Sequence, residues 1–288
     1  MTLATLSREA PILLAGPTAS GKSALAMDLA ARDGRVIVNA DALQVFATWR
    51  VLTARPSLAD ESRLPHALYG HIAGDAPYSV GHWLREVAGW LTQPVVIVGG
   101  TGLNFSALTE GLAEIPEIPA EIRQTADALR ADKGIGALRE TLDAATAARI
   151  DLRNGARIQR AWEVLMTTGR GLADWQQDTP APLLRLADTE ALVLEPDVPW
   201  LNARIDHRFT AMLANGALDE AAAALPTWNP TLPAARAIGA AELIAHLQGR
   251  LTRAEATAAA TLACRQYAKR QRTWFRSRMA GWRRLPLP

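Results

Sequence analysis

The chain has 288 residues, 49% apolar and 21% charged, with a formal net charge of +2 and a single cysteine, Cys264. That length holds one large domain or two modest ones, and the composition argues against wholesale disorder. One cysteine excludes an intrachain disulfide, and no run approaches the ~20 apolar residues of a membrane span, so a soluble, cytoplasmic chain is expected.

Pro11-Ile12-Leu13-Leu14-Ala15-Gly16 reads as a short buried strand ending in glycine, and a helix follows from about Lys22 to Ala31. Val36-Ile37-Val38 reads as a second buried strand. Tyr78-Ser79 resembles a cap before a helix carrying Val80, Trp83, Leu84, Val87 and Leu91. Pro94-Val95-Val96-Ile97-Val98 is a third strand, cut off by Gly99-Gly100. Alternating apolar strands and helices predict an α/β fold: a P-loop NTPase-like parallel sheet flanked by helices.

The pattern then changes. Pro116 and Pro119 mark a junction, residues 120–177 read as helices throughout, and Asp178 to Pro182 is a second junction. Ala191-Leu192-Val193-Leu194 resumes the strand character. From Pro199 onward the chain reads as helical, broken at Gly216, Pro226–Pro233 and Gly249. Residues 1–113 and 187–288 are therefore expected to form a discontinuous α/β core, with 114–186 as an all-helical insertion.

Gly16-Pro17-Thr18-Ala19-Ser20-Gly21-Lys22-Ser23 fits G-x-x-x-x-G-K-[ST] between a strand and a helix, the context this motif requires. Loop N–H groups and the helix N-terminus face phosphate oxygens, Lys22 adds a charge, and the Ser23 hydroxyl can ligate Mg²⁺. The loop specifies phosphates without specifying ATP. Asn39-Ala40-Asp41-Ala42-Leu43-Gln44 follows the second strand, so Asp41 falls on the same sheet rim. A carboxylate there can act as a general base or merely cap a helix. Gly99-Gly100-Thr101-Gly102 ends the third strand on that rim; its glycines allow backbone to approach a ligand, and Thr101 offers a hydroxyl.

No Asp or Glu occurs from residue 256 onward, while Arg265, Lys269, Arg270, Arg272, Arg276, Arg278, Arg283 and Arg284 do. Such a run suggests a polyanionic partner or, more simply, a solvated helix face. Within it, Tyr267, Trp274 and Phe275 alternate with the cations, as for RNA stacking or for a buried helix face.

Together these pieces resemble the bacterial tRNA dimethylallyltransferases, also called tRNA isopentenyltransferases, over most of the chain from about Pro11 to about Arg276. The resemblance rests on GPTASGKS at 16–23, NADALQVF at 39–46, LTARPS at 52–57, APYSV at 76–80, VVIVGGTGL at 95–103, RIDHRFTAML at 204–213, RAIGAAEL at 236–243 and RQYAKRQRTWFR at 265–276. It implies transfer of a five-carbon group from dimethylallyl diphosphate to the N6 amine of the adenosine 3′ of the anticodon, by a monomer using Mg²⁺ held with the donor. It further implies that residues 16–23 bind the diphosphate, that Asp41 takes the N6 proton, that Thr101 sits near the leaving oxygen, and that Arg208 binds diphosphate. The tRNA anticodon stem-loop is expected to touch Asp41, Ala42, Leu43, Gln44 and Thr101; Arg123; Ala156, Arg157, Ile158, Gln159 and Arg160 in the insertion; and Arg236, Arg265, Lys269 and Arg270. The target base would be flipped into a channel.

Some positions depart from the family pattern. Ala42 stands where serine is usual, Phe46 and Asn104 where tyrosine is usual, Arg50 and Leu52 where aspartate and glycine are common, and Ala240-Ala241 where an aromatic–basic pair is frequent. None removes a catalytic group, but the alanine pair leaves no side chain to contact RNA. Other readings are a small-molecule P-loop kinase, an adenylate isopentenyltransferase and a non-enzymatic RNA-binding P-loop protein. A kinase would need a lid with arginines on a γ-phosphate. The free-nucleotide enzyme would leave the helical insertion and basic helix without a role, and pure binding needs no base such as Asp41. The five histidines show no metal spacing.

Overall fold

The computed structural model describes residues 6–288. In the first part of the core, strands β1 (Ile12–Ala15) and β2 (Val36–Asn39) flank helix α1 (Lys22–Asp33). Helix α2 (Leu58–Arg63), strand β3 (His66–Ala67), helix α3 (Val80–Ala88), strand β4 (Val95–Gly99) and helix α4 (Gly102–Glu110) follow. The insertion holds α5 (Ala120–Lys133), α6 (Ile135–Glu140), α7 (Ala144–Arg149), α8 (Gly155–Thr168) and α9 (Leu172–Gln177). The chain then re-enters the core with strand β5 (Glu190–Pro196) and helices α10 (Val198–Ala214), α11 (Ala217–Ala224), α12 (Ala240–Leu247) and α13 (Arg253–Arg278). It ends in strand β6 (Arg283–Leu287).

The six strands form one parallel sheet in the order β3-β2-β4-β1-β5-β6. The apolar runs predicted as buried strands are buried on both faces, as a sheet sandwiched by helices requires. Leu13, Val38, Ile97 and Val193 point to a layer with Trp83, Phe105 and Phe275. Their neighbours Ile12, Leu14, Ile37 and Val96 point to the opposite layer, against Ala26, Leu29 and Ala30 of α1. The parallel pairing places the carboxyl ends of β1, β2 and β4, adjacent in the sheet, on one rim. A separate core joins the loop after β2 to α10–α12, with Trp49, Leu52, Phe209 and Leu243 at its centre.

Two strands differ from the sequence reading. The tail after α13 is not helical: Arg283–Leu287 pairs in parallel with β5. Its proline is tolerated because β6 is an edge strand, where a missing N–H need not break a ladder. The two-residue β3 is too short to leave a periodic signal. Helix α3 stops at Ala88, short of Leu91, and its Ser79 cap accepts from the His82 N–H.

The chain divides into two compact units, one running to Thr109 and resuming at Leu183, the other Glu110–Pro182. Both borders lie four residues before the expected 113/114 and 186/187. The Leu184 N–H donates to the Leu108 carbonyl, and Leu184 and Leu186 pack on the sheet core, so these residues belong to it. The ends of the insertion are tied together at Gly111, whose φ of +91° and lack of Cβ let it lie against the Pro180 carbonyl. The insertion has its own core of Ala126, Leu138, Ile158 and Trp162.

Candidate active site

The loop at 16–23 leaves β1 and turns sharply into α1. The Ser20 N–H closes the turn on the Pro17 carbonyl at 3.2 Å, and Gly21 sits at φ +91° as the helix cap. Ala19 adopts φ +64°, a conformation L residues avoid at a local energetic cost. The Ser20 hydroxyl is buried without a hydrogen-bond partner, an arrangement that favours a ligand oxygen or proton donor at that point. Burial pushes the Lys22 ammonium down to about 8; Asp41 opposes the shift and Arg208 adds to it. The Ser23 hydroxyl is exposed at the first turn of α1.

Asp41 is held by its own segment. Its N–H donates to the Asn39 side-chain oxygen at 2.8 Å, and its carboxylate accepts from the Leu43 N–H at 3.0 Å. Asn39 is fully buried, its carbonyl accepting from the Trp83 indole at 2.6 Å. One carboxylate oxygen therefore holds a local turn rather than capping a helix, since residues 42–45 are turn and no helix begins there, while Asp41 also lines a cleft with Thr18, Arg208 and Tyr267. The Thr101 hydroxyl accepts from the Ala42 N–H at 3.0 Å, so the β4 loop braces the Asp41 turn.

The cleft spans about 520 Å³, including open solvent at its mouth. Its lining combines the polar Thr18, Asp41 and Arg208 with the apolar Leu43, Ile205, Phe209, Met212 and Ile238. Arg208 donates to the Thr18 hydroxyl. Burial lowers its pKa, against the opposing pull of Cys264 and Asp41. Burial raises the Tyr267 phenol, and the Asp41 carboxylate adds to that, so Tyr267 stays neutral beside Thr101 and Gln271. Thr18 of the phosphate loop, the Arg208 cation and the Asp41 carboxylate share one cavity with apolar side chains, and Lys22 lies close enough to feel both charges. Such a site can hold a charged leaving group at one end and a hydrocarbon group beside it, with a base in reach.

The glycines after β4 have a different purpose from the one expected. A Cβ on Gly99 would lie 2.1 Å from the Ala40 carbonyl oxygen, on Gly100 2.2 Å from the Gln271 amide, and on Gly102 2.1 Å from the Trp274 indole. They admit close packing by Ala40, just after β2, and by α13, which accounts for them without a ligand. Gln271, buried within α13, joins the two loops: its oxygen accepts from the Thr18 N–H at 2.8 Å and its amide donates to the Gly100 carbonyl at 2.9 Å. Sequence reasoning placed Gln271 only inside a basic helix; its spacing from Cys264, Ala268 and Phe275 on one face is the signal that it points inward.

The expected RNA-facing residues divide by exposure. Arg265, Lys269, Arg270 and Arg276 are exposed on α13, whereas Phe275 is core, Tyr267 lines the cleft and Trp274 covers Gly102. Arg265 is paired with Asp206. Ala42 and Arg236 are exposed, and Leu43 lines the cleft. The Gln44 amide donates to the Thr53 and Ala54 carbonyls, leaving only its oxygen for a partner. In the insertion Ala156, Arg157 and Arg160 are exposed, as is Arg123, which lies close enough to Arg160 to affect its charge. Ile158 is 1% exposed and packs on Ala126 and Trp162, so its side chain is core and not an RNA contact. Gln159 is occupied by Asp127 and Glu163. Ala240 is buried and Ala241 exposed, with no polar side chain at either position. Among the described residues no helix is long and apolar enough to cross a membrane, and no three metal-ligating side chains cluster.

A model of the family described as IPP transferase matches residues 44–278, beginning after the phosphate loop, β2 and Asp41. A protein of Cereibacter sphaeroides strain KD131 named tRNA dimethylallyltransferase is 62% identical over 99% of this chain and 92% of its own length. One of the same name from Dinoroseobacter shibae is 61% identical over 99% and 97%. The crystal structure of the tRNA isopentenylpyrophosphate transferase of Bacillus halodurans superposes with a TM-score of 0.68 at 27% identity, over 96% of this chain and 90% of that one.

Proposed function

The chain belongs to the IPP transferase family, and from that premise we propose that it transfers the dimethylallyl group of dimethylallyl diphosphate to the N6 amine of the adenosine 3′-adjacent to the anticodon in tRNA. The observation that carries this reading is Asp41 set in the same cleft as Thr18 of the phosphate loop and Arg208, together with apolar side chains. The loop N–H groups, Lys22 and Arg208 hold the diphosphate, and the apolar side chains take the five-carbon group. As the N6–C1 bond forms and the C1–O bond breaks, the N6 proton passes to the free oxygen of Asp41. Removing that proton during attack compensates for the weak nucleophilicity of an exocyclic amine. Fixed cations stabilise the charge that develops on the leaving diphosphate. Thr101 keeps the Asp41 turn in place and lies beside the leaving oxygen.

The exposed Ser23 hydroxyl, without an acidic cluster around it, suits Mg²⁺ held mainly by the diphosphate and water rather than by a protein cage. When bound there, Mg²⁺ neutralises leaving-group charge. The tRNA is held by the exposed cations of α13 and by Arg123, Arg157 and Arg160 of the insertion, and the enzyme acts as a cytoplasmic monomer.

The test is a transfer assay with radiolabelled dimethylallyl diphosphate and Mg²⁺, offering unmodified tRNA in one tube and AMP in another. Label in tRNA alone is expected. Label in AMP alone, or in neither, overturns the reading.

A further inference from the structure

Arg204 on α10 lies beside the phosphate loop and has been given no role above. Its Nε donates to the Ala19 carbonyl at 2.9 Å, and its guanidinium lies 4.6 Å from the centre of the Trp200 ring, one helical turn away. Two contacts of different kinds thus fix an exposed side chain that would otherwise sample many rotamers. The fixed orientation brings a terminal Nη to 3.9 Å from where a Cβ on Gly21 would stand, beside the start of α1. No carboxylate pairs with Arg204 among the described residues, whereas Arg265, also exposed, pairs with Asp206. Arg204 lies close enough to Arg208 to disfavour the charge on Arg208. A protein gains nothing in stability from such crowding, but an anion between the two cations would convert repulsion into attraction.

We propose that Arg204 is a third cation of the diphosphate site, binding the terminal phosphate from the solvent side of the loop while Lys22 and Arg208 act from within. This rests on the diphosphate reading of residues 16–23. Ala19 and Trp200 keep the guanidinium in place before the ligand arrives, so little rotamer freedom is lost on binding. The contact is made equally in the ground state and after transfer, so it acts on affinity for donor and product more than on the chemical step.

The test uses the full chain with inorganic diphosphate and Mg²⁺ in calorimetry, and steady-state kinetics with varied dimethylallyl diphosphate or varied tRNA. For Arg204→Ala, diphosphate affinity is expected to fall roughly ten- to a hundredfold, with a matching rise in donor KM, little change in kcat and an unchanged tRNA KM. Arg204→Lys should recover only part of the loss, because a point charge cannot both stack on Trp200 and bond Ala19. Lys22→Ala separates this inference from the reading beneath it. If Lys22→Ala weakens diphosphate and Arg204→Ala does not, the role of Arg204 is wrong and the loop reading stands. If neither variant changes diphosphate affinity, both fail. A rise in tRNA KM alone for Arg204→Ala would assign it to RNA phosphate and overturn the proposal.

Discussion

Replacing Gln271 by methionine removes one buried and one half-buried hydrogen bond while nearly keeping side-chain volume, so the cavity contribution is small. The Thr18 N–H and the Gly100 carbonyl lose partners at 2.8 and 2.9 Å, and neither has another acceptor or donor in reach. An orphaned buried polar group costs about 1–3 kcal/mol; with Thr18 at the edge of an open cleft, a total of about 2–4 kcal/mol follows. For a unit of this size that corresponds to a fall in Tm of roughly 5–12 °C. Because Thr18 belongs to the phosphate loop and Gly100 to the loop bracing Asp41, donor KM should rise together with the loss of stability. Gly100→Ala should produce the same phenotype, since its Cβ would fall 2.2 Å from the Gln271 amide. Both variants break the same contact between Gln271 and Gly100, so the double variant should be far from additive. Calorimetric melting and donor kinetics on the two single variants and the double variant measure this. Tm within about 1 °C of the parent for Gln271→Met, or fully additive effects, would refute the argument that Gln271 joins the loops.

Asp41→Asn is expected to reduce transfer by at least roughly a hundredfold, since the amide cannot accept the N6 proton, while diphosphate affinity changes little; near-parental turnover in a single-turnover assay would exclude Asp41 as the base. tRNA affinity should fall steeply with salt, and Lys269→Ala with Arg270→Ala should flatten the logarithmic slope by about 1–2; a salt-independent Kd would remove α13 as the docking surface. Burial raises the Cys264 thiol, with Arg208 opposing, so its thiolate is scarce at neutral pH. Alkylation by iodoacetamide at pH 7.5 should be at least about tenfold slower than for free cysteine and should accelerate as pH rises past the ordinary thiol range; rapid stoichiometric labelling, read by mass spectrometry, would contradict this.

Much of the molecule was legible from local patterns. Short apolar runs bounded by glycine mark β1, β2 and β4, and a strand followed by a glycine-rich loop and a helix marks the phosphate site, because backbone geometry and burial act there over a few residues. Asp41 and Thr101 were legible as rim residues because parallel strands all end on the same side. What no local pattern carries is which distant side chain completes a contact. Gln271 lies 253 residues from Thr18, and Arg204 lies 185 from Ala19. Glycines 99, 100 and 102 read as ligand-facing until α13 is packed on them, and Ile158 read as a surface residue until α5 and α6 enclose it. The edge strand β6 depends on β5 for its hydrogen bonds and has no signal of its own. By itself, then, the sequence determined the parallel α/β class, the phosphate loop and the candidate base, through short-range periodicity and backbone stereochemistry. Only the tertiary structure decided how the loops are braced, which cations converge and which faces are buried, because those depend on packing between segments that the chain separates by up to hundreds of residues.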